Sequence, residues 1–208
     1  MSTAARRSQD KRAAQTRRRL LDATFDCLVD VGYARTSTPE VLRRTGISRG
    51  ALLHHFPTKT DLVVATMEHV VDRRLEEYRE AFEALEVPDG SSRVEAAIDL
   101  LWTLARGPTA HAWLELVVAA RTDPDLMARI RVVDDRFDRS AADLREGFFS
   151  PFDGADRPVD DDALRFAFAT LNGLSVVGIH EDHADLQVVV DALKQLAGVV
   201  HGAQRGER

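Results

Sequence analysis

The sequence predicts an all-α protein of nine helices, and three observations carry that expectation. Apolar residues recur at three- and four-residue spacing along most of the chain. The stretches so marked begin at Ser, Thr or Asp and stop at Gly or Pro. No segment shows the apolar–polar alternation of a half-buried strand, and there is no internal repeat or low-complexity tract. With 208 residues, 44% of them apolar, the chain can hold one large or two small domains around a sizeable core.

Residues 1–10 are small and polar and are expected to be disordered in the free protein. The first helix is expected over residues 11–31. Leu20, Ala23, Thr24, Cys27, Leu28 and Val31 fall at helical spacing, and Arg12, Arg17, Arg18 and Arg19 cluster at the first turns. Gly32 can take positive φ and ends it. The next helix opens in one of two ways: Ser37 with Glu40 fits a capping box, and Thr38 before Pro39 fits a cap followed by a first-turn proline. Gly46 marks a turn, Ser48 caps a short helix through about residue 55, and Pro57 stops it. Thr58 restarts a helix to about residue 85, with Asp61 at its third position favouring the N-terminus.

Pro88-Asp89-Gly90-Ser91 is a break, after which Ser92 and Glu95 form a capping box for a helix to about residue 105. Gly107-Pro108 starts another through about residue 121. Asp123-Pro124 caps a long one to about residue 149, whose Leu126, Ile130, Val133, Phe137, Leu144 and Phe148 make one stripe. Residues 150–158 read as a loop. Of the last two helices, the one over residues 163–179 is apolar almost all round and the one over residues 186–200 is nearly as apolar on two faces. A helix apolar all round must be buried all round, and a chain of this size needs a second copy to do it. The candidate interface residues are Leu164, Phe168, Leu171, Val189, Leu193 and Leu196.

The net charge of −6 taken alone argues against nucleic acid, but its distribution does not. Residues 1–56 hold eleven Lys and Arg against five Asp and Glu; the remainder holds seventeen against twenty-nine. A basic head on an acidic body presents one polyanion-facing surface while the body repels DNA. One cysteine, Cys27, rules out an intramolecular disulfide and argues against a cysteine zinc site. No apolar run approaches the ~20 residues of a membrane span, and no signal-peptide stretch follows the N-terminal arginines. The expectation is a cytoplasmic protein that contacts no membrane.

The basic head contains two short helical stretches hinged at Thr45-Gly46-Ile47, the arrangement of a helix-turn-helix. The second begins Ser48-Arg49-Gly50-Ala51, polar and small, as a helix that presents its first residues to base edges requires. Lys59 stands at the start of the following helix, where a cation is unfavourable unless an anion such as a phosphate is near.

Gly46-Ile47-Ser48, Gly50-Ala51-Leu52, His54-His55-Phe56, Lys59 and Leu62 resemble the N-terminal signature of the TetR family of bacterial transcriptional regulators. The likeness is close over residues 12–75 and beyond that rests on the number and order of helices. It implies a DNA-binding head of three helices in residues 1–57. It further implies a ligand-binding and dimerisation body in residues 58–208 and a homodimer joined through the last two helices. The family usually carries a tyrosine where this chain has Leu53, a residue that commonly contacts backbone phosphate. His54 either takes over that contact or is solvated.

The DNA-contact candidates are Ser37, Thr38, Ser48, Arg49, Gly50, Ala51, Leu53, His54, His55 and Lys59. Arg49 either reads a guanine bidentately or sits on a phosphate. Ser37 and Thr38 either cap only or also hold phosphate at a helix N-terminus. His55 touches the DNA backbone or packs on Phe56. The arm residues Arg6, Arg7, Lys11 and Arg12 either enter a minor groove or form a solvated tail. The partners expected are double-stranded DNA, a small apolar or aromatic effector, and a second copy of the chain.

Trp102, His111, Trp113, Phe137, Phe168 and Asn172 are candidates to line an effector cavity, each with plain core packing as the alternative. Glu115 stands beside His111 and Trp113 among apolar residues; the three either face such a cavity or lie on a half-exposed helix. His180-Glu181-Asp182-His183 superficially suggests a metal site, but its second histidine comes one residue too early for His-Glu-x-x-His. A solvated loop is the better reading. No Ser-His-Asp arrangement, phosphate loop or dinucleotide glycine pattern is present, so neither catalysis nor a cofactor is expected. Two rivals remain: an effector-independent architectural DNA-binding protein, and a metal-dependent enzyme using His111, His180 and His183.

Overall fold

A computed structural model describes residues 3–87, 92–149 and 161–206; at 3–6, 141, 144–149, 161–165, 183–184 and 199–206 it describes the backbone alone. Among the described residues there are nine helices and no strand: α1 (Thr3–Arg35), α2 (Thr38–Thr45), α3 (Arg49–His55), α4 (Lys59–Glu83), α5 (Arg93–Ala105), α6 (Pro108–Ala120), α7 (Pro124–Phe149), α8 (Asp161–Val177) and α9 (His183–Gly206). No helix among the described residues is long and apolar enough to cross a membrane. The expected loop over residues 150–158 lies outside the described residues.

Most boundaries follow local chemistry. Ser92 and Glu95 make both bonds of their capping box. The Leu126 amide donates to the Asp123 side chain at 3.0 Å, as an N-cap before Pro124 requires. One boundary departs from expectation. Helix α1 begins at Thr3 rather than near Lys11, because residues 4–15 are rich in Ala, Arg, Gln and Lys, all good helix formers, and contain no Gly or Pro. Their polarity signalled exposure, which a helix also permits.

The chain divides into two compact units, Met1–Arg74 with Pro108–Asp138 and Leu75–Gly107 with Arg139–Arg208. In the first unit α1 serves two cores. Leu20, Ala23 and Cys27 pack with Val41 of α2, Leu52 of α3, Phe56 at the C-cap of α3 and Leu62 of α4. Phe25 and Leu28 pack with Val63, Met67, Ala112, Leu116, Leu126 and Ile130 of α4, α6 and α7. Polar links cross the same interfaces: His69 Nε2 lies 2.8 Å from Asp22 Oδ1, and Arg136 donates to Asp72 at 2.8 Å.

The second unit packs α5 against α8 and α9. Ile98, Leu101 and Trp102 of α5 are buried, as are Leu171 and Leu174 of α8 and Leu186, Val190 and Leu193 of α9. The Tyr78 ring stacks on Phe168, with centroids 6.2 Å apart. Each of the last two helices keeps one apolar face outward. On α8 it is Phe166, Val176 and, just past its end, Ile179; on α9 it is Val188, Val189 and Leu196.

Candidate nucleic-acid interface

The helix-turn-helix is built by local bonds. Ser37 is the N-cap of α2, its Oγ accepting from the Glu40 amide at 3.4 Å. The carboxylate of Glu40 is occupied elsewhere, accepting from Arg43 at 2.7 and 2.8 Å and from Arg44 at 2.8 Å. These bonds, Arg43 first and Arg44 second, hold the Glu40 carboxyl down at about 2. Arg44 also reaches Asp30 of α1 at 2.6 Å, which ties α2 to α1.

Gly46 sits at φ 67 and ψ 10, the left-handed conformation that ends α2, and its amide returns to Leu42 O at 2.9 Å. Arg19 of α1 donates to Thr45 O at 2.7 Å and fixes the turn from outside. Ser48 then caps α3, accepting from the Ala51 amide at 3.2 Å. Buried Leu52 and Phe56 hold the inner side of α3. Its outer face is Arg49, Gly50, Leu53 and His54, all exposed, with Ala51 and His55 half-buried at the flanks. Both Ser37 and Thr38 are half-buried. Arm residues Arg7, Lys11 and Arg12 are exposed along the first turns of α1, whereas the side chain of Arg6 lies outside the described residues.

Two features tune this surface. Burial, then His54, then Arg17 push the His55 imidazole below its ordinary 6.5, so it is neutral at pH 7 in the free protein. Lys59 is exposed at the start of α4 and its Nζ stands 5.1 Å from the centroid of the Tyr33 ring. The aromatic face gives this cation a partner within the protein. Thr58 and Asp61 form a reciprocal cap around it, with amide-to-side-chain distances of 3.0 and 3.1 Å.

Tyr33 leads to a residue whose role sequence reasoning misplaced. Gly32 adopts φ 75 and ψ 169, which interrupts the ladder of α1 and releases the Tyr33 amide. Glu115 of α6 receives that amide at 2.6 Å. Sequence alone set Glu115 beside His111 and Trp113 as a possible cavity residue; the structure turns it to the end of α1. The available signal was one carboxylate on a helix otherwise without charged residues.

The effector candidates are distributed between the two units. In the first, Trp113 packs on the core formed with α1, α4 and α7, His111 is half-buried, and buried Phe137 lies under the Arg74 guanidinium at 4.3 Å. In the second, Trp102 is buried beneath Arg106 at 4.8 Å, and Phe168 stacks on Tyr78. Asn172 is exposed on the outer face of α8 and donates to Phe168 O at 2.8 Å. Of the interface candidates, Val189 and Leu196 are exposed, while Phe168 is half-buried. Leu171 and Leu193, at 1% and 5% exposure, are already covered within the chain and have almost no surface left to give a second copy. The side chain of Leu164 lies outside the described residues. His180 is exposed in the turn between α8 and α9, 3.9 Å from Glu181, and the side chain of His183 is outside the described residues. Among the described residues no three His, Cys, Asp or Glu side chains gather as a metal-holding group.

A three-helix head with a capped turn and an exposed, basic outer face on its third helix defines a helix-turn-helix protein. The family described as bacterial regulatory proteins, tetR family, matches residues 20–66. The transcriptional regulator CymR of Pseudomonas putida is 31% identical over 171 residues, covering 82% of this chain and 83% of CymR. This chain therefore belongs to the TetR family of bacterial regulatory proteins. An uncharacterised helix-turn-helix-type regulator of Mycobacterium tuberculosis is 38% identical over 127 residues, 61% of this chain and 64% of that one. The chain thus matches a little under two thirds of that relative's length. The crystal structure of a transcriptional regulator from Rhodococcus sp. is similar, with 27% identity, a TM-score of 0.62, and coverage of 88% of this chain and 94% of that one.

Proposed function

We propose that this chain is a cytoplasmic, homodimeric, sequence-specific DNA-binding regulator, not an enzyme, that represses transcription until a small apolar or aromatic effector releases it. The observation that carries the reading is the outer face of α3, where Arg49, Gly50, Leu53 and His54 stand exposed on a helix capped by Ser48. Residues 1–57 act as arm and DNA-binding domain, and residues 58–208 as effector-binding and dimerisation domain. Helix α3 of each protomer enters a major groove, and the two half-sites lie ~34–36 Å apart on a palindrome. Ser37 and Thr38 at the start of α2, with His55 and Lys59, meet phosphates.

The second copy sits on the outward apolar faces of α8 and α9. Ile179 and Leu196, 67% and 56% exposed, sit there with Phe166, Val176, Val188 and Val189. Their exposed position makes them better interface residues than Leu171 and Leu193, and Asn172 joins them rather than an effector site. Trp102, His111, Trp113, Phe137 and Phe168 are the aromatic candidates for effector contact. The effector acts by preferring one conformation of the dimer, since a ligand without differential affinity shifts nothing.

Selection of bound DNA from a random pool tests the reading. The expected product is a two-half-site palindrome, and Arg49→Ala is expected to cost ~1–3 kcal/mol and relax one position in each half. A pool that stays random would sink it.

A further inference from the structure

Leu53 is the one large apolar side chain on the outer face of α3, and it is 43% exposed. At ~100° per residue it projects between Arg49 and Gly50, in the middle of that face, with His54 at its edge. Helical side chains lean toward the N-terminus, so Leu53 lies over the turn that carries Gly50. That turn offers room, because nothing stands within 4 Å of where a Gly50 side chain would begin. The inner side of the helix is held by Leu52 and Phe56, so Leu53 is not needed for the core.

A leucine has no donor for a phosphate or a base edge. The apolar feature that a major groove presents to such a side chain is the C5-methyl of thymine. We propose that Leu53 is a specificity-determining residue that reads one thymine methyl in each half-site, beside the base or phosphate met by Arg49. The inference rests on α3 entering the major groove and adds to it the base identity at one position. Leu53 and Arg49 lie four residues apart on one helix face, so the base they specify should be a near neighbour of the Arg49 contact.

The test uses the full-length protein and the DNA selected from the random pool. Each thymine is replaced in turn by deoxyuridine, which lacks only the methyl. At one thymine per half-site the replacement is expected to weaken binding about fourfold, the factor for one buried methyl-sized group. Leu53→Ala is expected to bind thymine and deoxyuridine equally there while unfolding at the same urea concentration as the parent. Uniform weakening by Leu53→Ala, with methyl sensitivity unchanged or absent at every thymine, would place Leu53 on the sugar-phosphate backbone and overturn the proposal. If Arg49→Ala and Leu53→Ala both leave sequence preference intact, the groove-facing role of α3 itself fails. Loss of preference in Arg49→Ala alone sinks only the assignment of Leu53.

Discussion

Replacing Gly32 with alanine tests how the first helix is coupled to α6. At φ 75 and ψ 169 Gly32 occupies a region essentially reserved for glycine, and a residue forced into it carries ~1–3 kcal/mol of strain. The new Cβ would also stand 3.1 Å from Glu115 Oε2. The carboxylate is the end of a flexible side chain and can move, but moving it breaks the 2.6 Å bond from the Tyr33 amide. A hydrogen bond to a charged group contributes ~1.5–3 kcal/mol. The combined loss is therefore about 2.5–6 kcal/mol. Gly46→Ala is the internal control: its φ of 67 imposes ~1–2 kcal/mol, and nothing lies within 4 Å of the added carbon. Urea unfolding at one fixed protein concentration measures both, since dimer stability depends on concentration. A cycle with Glu115→Ala separates the parts, because without the carboxylate Gly32→Ala should cost only its backbone strain. Equal costs at positions 32 and 46, or strict additivity of the changes at 32 and 115, would refute the coupling.

Proton linkage at His55 makes a second test. Burial, His54 and Arg17 depress its pKa in the free protein, so its share of folding stability is complete above 6.5 and declines as pH falls toward the folded value. A phosphate beside the ring favours the charged form, so DNA binding takes up a proton and should tighten as pH drops from 7.5 to about 6. His55→Gln should flatten that dependence in a binding titration, and an unchanged slope would remove His55 from the contact. At the proposed interface, Leu196→Arg should yield monomers in sedimentation with helix content retained. Leu193→Arg, at a covered position, should instead lose helix; a dimer surviving Leu196→Arg combined with Ile179→Arg would move the interface elsewhere.

Local chemistry made many of the helix ends legible in advance. Gly46, Ser48, the Ser92–Glu95 box and the Asp123 cap each depend on residues within four positions, and each forms as their spacing suggests. The choice at α2 was not legible: Ser37 is the cap, but Glu40 has two arginines on its own helix competing for its carboxylate. Glu115 was beyond reach because its partner lies 82 residues away. The inward faces of α8 and α9 were equally hidden. When leucines and valines cover a whole helix, periodicity cannot tell Leu193 from Leu196, and only packing against α5 decides.

The position of Cys27 has a practical consequence. Its thiol is wholly covered in the core that α1 shares with α2, α3 and α4, and burial, against the pull of Arg44, raises its pKa. Both conditions keep it inert toward thiol reagents while that core is closed. A reagent in excess can therefore modify only molecules in which the core that α1 shares with α2, α3 and α4 has opened, and the chain holds no other sulfhydryl to confuse the signal. When closing outpaces modification, the labelling rate divided by that of an unfolded thiol is the fraction of open heads. Local unfolding of the DNA-reading end becomes measurable under native conditions, with no denaturant and no tag.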